Sequence, residues 1–271
     1  QLSGKAGCVV DQSKPGKAGC TEVRALRGPA PFLGSRAVVI SPDGTRALSG
    51  DAQGTVIHWE LAGGRKLHVF AGYLRRGQGS DPEEGHYDAV WGLAFRADGR
   101  SALSVSQDQC AILWDLAEGT MLWRNDVFKA GLFAVSLCPD GRSALLGGLD
   151  SRMATLDLAS GECRHFLGHT GRLHAIVASP DGRYALTGSA DGTARYWDLR
   201  HGAEVRVLND WGRHRVAASL DISPDGKTGA TAAFDGTILL WDVPSGTHIR
   251  SLAGHTEMAY AGVKFLPDNQ H

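Results

Sequence analysis

The sequence lacks long apolar runs and has almost no surplus of charge of either sign. No stretch approaches the roughly 18 consecutive apolar residues of a transmembrane helix, so we expect no direct membrane span. The 28 Lys and Arg residues nearly balance the 29 Asp and Glu residues, which leaves a net charge of −1. This balance argues against a dedicated nucleic-acid or membrane-surface binder. We therefore predict that nucleic acid is not a partner.

Signatures of catalytic and cofactor sites are also missing. The sequence contains no phosphate-binding loop, no Gly-x-Ser-x-Gly elbow and no His-Glu-x-x-His motif. His165 and His169 lie four residues apart, a spacing that brings ligands together on a helix but not along a strand. We therefore predict no catalytic residues, no metal site and no cofactor.

Cysteine is scarce, and its five positions contain no Cys-x-x-Cys pair. An odd number excludes complete pairing within the chain. Cys8 and Cys20 lie close together in a lead segment rich in Gly, Lys and Pro, and they can form a disulfide in an oxidising compartment. The alternative is two free thiols on a loose terminus. Cys110, Cys138 and Cys163 fall at repeat positions that tolerate small residues, which indicates packing.

Glycine, in contrast, is abundant, with 36 residues, and many of these mark an internal repeat. A Ser-Pro-Asp-Gly turn or a variant of it recurs, with its Asp at Asp43, Asp98, Asp140, Asp181, Asp225 and Asp268. A second landmark recurs with the same spacing, at Trp59, Trp114, Leu156, Trp197 and Trp241. After a first interval of 55 residues, both landmarks recur about every 42 residues.

Each unit reads as four short strands. In the fourth unit, the predicted strands are residues 173–179, 184–189, 193–199 and 204–208, separated by Pro-Asp-Gly, Asp-Gly and His-Gly turns. No segment shows a sustained helical period. The sequence therefore predicts an all-β protein.

These landmarks resemble those of the WD-repeat β-propeller family, in which each repeat of 40–45 residues supplies one four-stranded antiparallel blade. The resemblance covers nearly all of residues 20–271 and is specific because several units match. It predicts five complete blades and a closing blade assembled from both chain termini, with an outermost strand at residues 21–28, a candidate third strand at 7–11 and a first strand at 260–266. We divide the chain into a lead segment, 1–19, which can add a strand to that blade, and the propeller, 20–271. The closing blade lacks at least one strand. We therefore expect a processed or partial chain whose natural form continues past His271, to six or seven blades. The alternative is a six-bladed ring with one incomplete blade.

The resemblance also implies a structural hydrogen-bond network in each blade, joining a His, a Ser or Thr, an Asp and the Trp of the third strand. The fourth unit matches it best, the second matches it too, and the fifth keeps two members. The corresponding residues are His169, Thr187, Asp191 and Trp197; His86, Ser104, Asp108 and Trp114; and Asp235 and Trp241. The third unit has Asp150 and Leu156 but no matching His, so we expect more apolar packing there.

Two connections are candidate partner-binding segments. Residues 73–85 form the one long insertion, with a basic pair followed by an acidic pair, and residues 209–215 place Trp211 among charged residues. Recognition residues often lie in loops on a rigid scaffold, and exposed Trp and Arg are favoured at interface hot spots. The alternatives are a tolerated surface excursion and simple packing. The candidates are Tyr73, Arg75, Arg76, Glu83, Glu84, Trp211 and Arg213.

From the resemblance and the missing catalytic motifs, we predict a bacterial-type, non-enzymatic scaffold that binds other proteins, as a peripheral subunit of a larger assembly. The alternative is the propeller portion of a larger redox, cytochrome-linked or hydrolytic enzyme whose catalytic domain lies outside this chain. A Gln start and a Cys8–Cys20 bond would slightly favour a periplasmic or secreted protein over a cytoplasmic one.

Overall fold

The structure, a computed structural model, describes residues 34–72, 85–126, 128–208, 217–253 and 262–266. Within these ranges the regular elements are β-strands, grouped in five sheets of four antiparallel strands each. None of the described elements is a helix long and apolar enough to cross a membrane. The predicted all-β fold with four-stranded propeller blades is confirmed, whereas the proposed strands at residues 7–11 and 21–28 lie outside the described residues.

Each blade is a meander of four consecutive strands, here numbered in chain order. Blade 1 contains β1 Ser35–Ile40, β2 Arg46–Asp51, β3 Val56–Glu60 and β4 Arg65–Phe70. Blade 2 contains β5 Val90–Phe95, β6 Ser101–Ser106, β7 Ala111–Asp115 and β8 Thr120–Asn125. Blade 3 contains β9 Leu132–Leu137, β10 Ser143–Gly148, β11 Met153–Asp157 and β12 Cys163–Phe166. Blade 4 contains β13 Leu173–Ala178, β14 Tyr184–Ser189, β15 Ala194–Asp198 and β16 Ala203–Leu208. Blade 5 contains β17 Ala217–Ile222, β18 Thr228–Ala233, β19 Ile238–Asp242 and β20 Thr247–Leu252.

The Ser-Pro-Asp-Gly sequence builds the turn between the first and second strands. In blade 4, the Ser179 hydroxyl donates to Asp181 Oδ1 at 2.5 Å, and the Gly182 amide donates to the Ser179 carbonyl at 2.9 Å. Gly182 has a φ of +68°, a left-handed conformation that glycine adopts without the strain of a Cβ atom. The repeated turn motif therefore fixes where each hairpin reverses.

Neighbouring blades pack face to face, and the first strands of successive blades contact one another in the order β1, β5, β9, β13 and β17. The large apolar clusters lie between blades: one joins Leu48 and Phe70 of blade 1 to Trp114 of blade 2. A Cβ atom on Gly188 of β14 would come within 2.7 Å of Ala217, so glycine permits this close approach. The first strands therefore line the central axis, and the fourth strands form the outer rim.

Residues 262–266 lie against β17 in the place that a first strand takes elsewhere. The Phe265 amide donates to Asp221 Oδ2 at 2.8 Å, and the equivalent Ala178 amide of blade 4 donates to Ser136 Oγ of blade 3 at 3.2 Å. No strand is assigned to residues 262–266. Residues 262–266 of the predicted strand 260–266 thus have the neighbour expected of them, and the closing blade stays a prediction.

Candidate docking face and buried networks

A buried hydrogen-bond chain runs through blade 4. His169 places its Nδ1 2.8 Å from Asp191 Oδ2 and its Nε2 2.7 Å from Thr187 Oγ1. The same Thr187 oxygen accepts from Trp197 Nε1 at 2.8 Å. The chain ties the loop before β13 to β14, the following turn and β15. The structure therefore brings the four residues predicted for this blade together.

Blade 2 repeats this arrangement with Ser in place of Thr. His86 places its Nδ1 2.9 Å from Asp108 Oδ2 and its Nε2 2.7 Å from Ser104 Oγ. Trp114 Nε1 donates to the same Ser104 oxygen at 2.7 Å. Both side chains of the His86–Asp108 pair are fully buried. The four residues again form one contact chain.

The electrostatics of these networks suit a structural role. Burial raises the pKa of Asp191, but hydrogen bonds from Thr193, the Thr170 amide and His169 outweigh it and lower the pKa to about 2. Burial lowers the pKa of His169 and outweighs the raising effect of Asp191. The carboxylate is thus held ionised and its imidazole partner neutral, with both ring nitrogens engaged. Neither group is poised to exchange protons near neutral pH.

The other blades keep only parts of this chain. In blade 5, Trp241 Nε1 donates to Thr231 Oγ1 at 2.9 Å, and Asp235 Oδ1 accepts from the Thr237 amide at 3.0 Å. In blade 1, the Trp59 indole still donates to Ser49 Oγ at 2.8 Å. The Trp-to-hydroxyl contact therefore persists in four of the five described blades.

The predicted partner-binding residues lie outside the described part of the chain, but the ends of their connections are placed. This applies to Tyr73, Arg75, Arg76, Glu83, Glu84, Trp211 and Arg213, and also to Cys8 and Cys20. The 73–84 connection leaves after Phe70 and returns before Val90, so both of its ends lie at the edge that carries the turns between second and third strands. Gly72 packs on the Gln53 carbonyl of such a turn, where a Cβ atom would come within 2.2 Å. We call this edge of the blades the turn face.

Aromatic side chains line the axis at the turn face. The second residue of each first strand is exposed or half-buried, and these residues are Arg36, Trp91, Phe133, His174 and Ala218. The Trp91 and Phe133 rings pack with centroids 5.0 Å apart, and the Arg36 guanidinium lies 4.8 Å from the Trp91 centroid. His174 meets the edge of Phe234 at 5.5 Å. We call Trp91, Phe133, His174 and Phe234 the aromatic collar.

The collar is held in place and only partly covered. Its four rings are all half-buried, and Trp91 Nε1 donates to Gln107 Oε1 at 3.3 Å. Arg172 Nε lies 3.1 Å from His174 Nε2, which requires an unprotonated acceptor nitrogen. Burial and then the Arg172 charge lower the pKa of His174 to about 4. The collar therefore presents neutral aromatic surface beside exposed guanidinium groups.

Two tryptophans outside the third strands, Trp91 and Trp123, are also candidates for packing between neighbouring blades, and Trp91 does contact Phe133 of blade 3. Trp123 does bridge blades, since its Nε1 donates to the Leu158 carbonyl of blade 3 at 3.1 Å. The signal for the collar was available: Trp91, Phe133 and His174 lie at the same offset from their repeat landmarks. Alternation along a strand turns that position toward the axis. Phe234 had no such signal, because it lies in a turn.

A search of the described residues finds no group of three or more His, Cys, Asp and Glu side chains that could hold a metal ion. Cys110, Cys138 and Cys163 are free thiols. Burial raises the pKa of Cys138 to about 12, so this thiol is protonated at neutral pH. Cys138 and Cys163 pack with apolar clusters, whereas the Cys110 thiol donates to Asp126 Oδ1 at 2.6 Å.

Comparison with known proteins gives a family-model match and several partial matches to curated proteins. A family model described as "WD domain, G-beta repeat" matches residues 82–115, 161–198 and 205–242. The WD repeat-containing protein 26 homolog of Arabidopsis thaliana is 33% identical over 85 residues, 30% of this chain and 14% of the relative. The U3 small nucleolar RNA-interacting protein 2 of Mus musculus is 32% identical over 95 residues, 35% of this chain and 19% of the relative. The angio-associated migratory cell protein of Homo sapiens is 28% identical over 190 residues, 65% of this chain and 41% of the relative.

The chain thus spans less than half the length of these curated relatives, which are plant and animal proteins. They give no support to the bacterial type expected from the sequence. The three matched segments each end at the third strand of a blade, in blades 2, 4 and 5. The matched segments of blades 2, 4 and 5 are therefore similar to WD40 repeats, and the five sheets of four antiparallel strands have the arrangement of β-propeller blades.

Proposed function

We propose that this chain is a non-catalytic scaffold that docks a protein partner on its turn face. The aromatic collar is the observation that supports this most. Trp and Arg are enriched at interface hot spots, and half-exposed rings held by their neighbours lose little side-chain entropy on binding. A rigid ring of sheets presents the collar and the connecting loops in fixed positions.

The two predicted binding connections start and end on the same face as the collar. Residues 73–84 lead into β5, the strand of Trp91, and residues 209–216 lead into β17 of blade 5. A partner seated on the collar would therefore meet both connections. We assign docking to the collar together with Tyr73, Arg75, Arg76, Glu83, Glu84, Trp211 and Arg213.

The test is quantitative affinity purification from the native source with collar variants. Trp91→Ala and Phe133→Ala should each reduce recovery of the same co-purifying proteins by about tenfold, the loss typical of a hot-spot residue. Trp123→Ala is the matched control, because Trp123 is also half-buried but lies on the outer strand β8. Equal losses for Trp91→Ala and Trp123→Ala would contradict docking at the collar.

One relative's name raises a different partner class. A U3 small nucleolar RNA-interacting protein is named for its association with an RNA, so ribonuclease treatment belongs in the purification. The net charge of −1 favours protein over nucleic acid as the direct partner. We expect the same proteins to co-purify after ribonuclease treatment. Complete loss of these proteins would indicate instead that RNA links them to the chain.

A further inference from the structure

Blade 3 departs from its neighbours at the position of the buried network. Phe128 lies four residues before β9, where His86 and His169 lie before β5 and β13. Leu146 and Leu156 replace the hydroxyl residue and the Trp. Phe128, Leu146 and Leu156 are at most 3% exposed and belong to one apolar cluster between blades 2 and 3. Three polar members of the network have thus been replaced by apolar residues.

Asp150, the remaining polar member, is displaced toward the surface. Its side chain is 23% exposed, whereas those of Asp108 and Asp191 are 0% and 6% exposed. Asp150 Oδ1 accepts from the Arg152 amide at 3.2 Å, and Oδ2 lies 3.9 Å from Arg152 Nε. Without a buried His, this carboxylate faces the turn of its own blade.

A cleft of about 230 Å³ lies beside Phe128 and Asp150 at the turn face of blade 3. Phe128, Lys129, Asp150, Arg152 and His165 line it. The Phe128 ring meets His165 edge-on at 5.7 Å and forms an apolar wall. Lys129, Arg152 and His165 are solvent-exposed, so their polar ends are accessible.

The charges that line this cleft favour an anion. Lys129 and Arg152 supply positive charge, Asp150 is the single carboxylate among the lining residues, and the His165 imidazole supplies an N–H donor. Asp126, two residues before Phe128 in the sequence, accepts from Arg124 Nε at 2.9 Å. Lysine binds phosphate as a point charge and arginine offers paired donors, so this set matches a group with several acceptor oxygens.

The backbone at the cleft is strained. Ser151 lies between Asp150 and Arg152 with a φ of +63°, where blades 1, 4 and 5 have Gly54, Gly192 and Gly236 and blade 2 has Gln109 with a φ of +74°. A left-handed non-glycine residue is strained, so blades 2 and 3 share this feature. The strained turn is the one that presents Arg152 to the cleft.

We propose that the cleft of blade 3 binds a phosphate monoester, with Lys129, Arg152 and His165 as donors and Phe128 as its apolar wall. The anion would compete with the Asp150 carboxylate for Arg152, so Asp150 lowers the affinity for the anion. The inference does not depend on docking at the collar, since a soluble phosphate ester suffices to test it. Phosphorylated protein side chains and soluble phosphate esters share this chemistry.

The test is isothermal titration calorimetry of inorganic phosphate and of O-phospho-L-serine into the whole chain at constant ionic strength. Lys129→Ala and Arg152→Ala should each weaken binding by about tenfold, because each removes a charge-assisted contact. Asp150→Asn should tighten binding several-fold, because it removes the competing charge and keeps an oxygen for the Arg152 amide. Arg142→Ala, an exposed Arg at the opposite end of blade 3, is the control and should bind like the original chain.

Two results would overturn the proposal: no saturable binding of either probe, or equal weakening by Arg142→Ala and Arg152→Ala, which would indicate a diffuse charge effect. An unchanged affinity in Asp150→Asn would also contradict the geometry. The affinities of a phosphoserine peptide, its unphosphorylated form and glycerol 2-phosphate are then compared to identify the source of the ligand. Tighter binding of the phosphopeptide assigns the cleft to a phosphorylated protein, and tighter binding of glycerol 2-phosphate assigns it to a soluble ester.

Discussion

Replacing His169 by Phe tests whether the buried networks stabilise the blades. The substitution keeps a ring of similar size and removes the two shortest hydrogen bonds of His169, at 2.8 Å to Asp191 and 2.7 Å to Thr187. A buried bond to a charged group contributes about 1.5–3 kcal/mol and a neutral one about 1 kcal/mol. We therefore expect a loss of about 3 kcal/mol in the free energy of unfolding. For a chain of this size, that lowers Tm by about 6–12 °C.

The matched control is His201→Phe in the same blade. His201 Nδ1 lies 2.8 Å from Asp198 Oδ2, the same distance as in the buried pair, but the His201 side chain is 70% exposed. Exposed pairs contribute little to stability, so its Tm should barely change. Differential scanning calorimetry measures both variants. Equal shifts in Tm would refute the claim that burial gives the network its effect.

Blade 3 suggests a second arm for this experiment. In blade 3, Phe128, Leu146 and Leu156 occupy the positions of the His, the hydroxyl residue and the Trp. We infer that apolar residues can replace the network when all three positions change together. The triple variant His169→Phe, Thr187→Leu, Trp197→Leu should be less destabilised than the sum of the single variants by about 1–3 kcal/mol. Strict additivity would show that the three residues act independently.

Three further predictions concern a buried imidazole, strained turns and the long connection. Burial, then the charges of Arg46 and His68, lower the pKa of His58 to about 4. Between pH 6.5 and pH 4, His58 is therefore protonated in the unfolded chain but neutral in the folded chain. The free energy of unfolding should fall by up to about 3 kcal/mol across this range. Neither His58 ring nitrogen has a partner within the described ranges, so His58→Leu should flatten that dependence and add about 1 kcal/mol at pH 7 in urea titrations. Ser151→Gly and Gln109→Gly should each raise the free energy of unfolding by about 1 kcal/mol, because glycine adopts a positive φ without strain. A lower free energy of unfolding in either variant would contradict this argument. Replacing residues 73–84 by a short linker should reduce partner recovery in affinity purification, and unchanged recovery would exclude this segment from docking.

The strand plan was predictable because its determinants are local. Pro fixes φ and Gly accepts positive φ in the turn at Pro180 and Gly182, so the sequence marks each reversal of the chain. The predicted strand 184–189 agrees with β14, and 204–208 differs from β16 by one residue. Repeat spacing then located the equivalent hairpins in the other units.

The collar and the cleft were less predictable because they depend on contacts between blades and on a missing residue. Trp91 and Phe133 are 42 residues apart, and only the packing of β5 beside β9 brings their rings to 5.0 Å. The third unit was expected to pack through apolar residues, but Phe128 could be identified only by aligning it with His86 and His169. The displacement of Asp150 toward Arg152 then depends on the turn geometry, which no spacing reveals.

The most direct test of the scaffold proposal is hydrogen–deuterium exchange of this chain, alone and with its purified partner. We predict slower exchange at the turns 106–110 and 148–152 and at the starts of β5, β9 and β13, all on the turn face. Slower exchange confined to the outer strands, or to the opposite turns such as 139–142, would contradict docking at the aromatic collar.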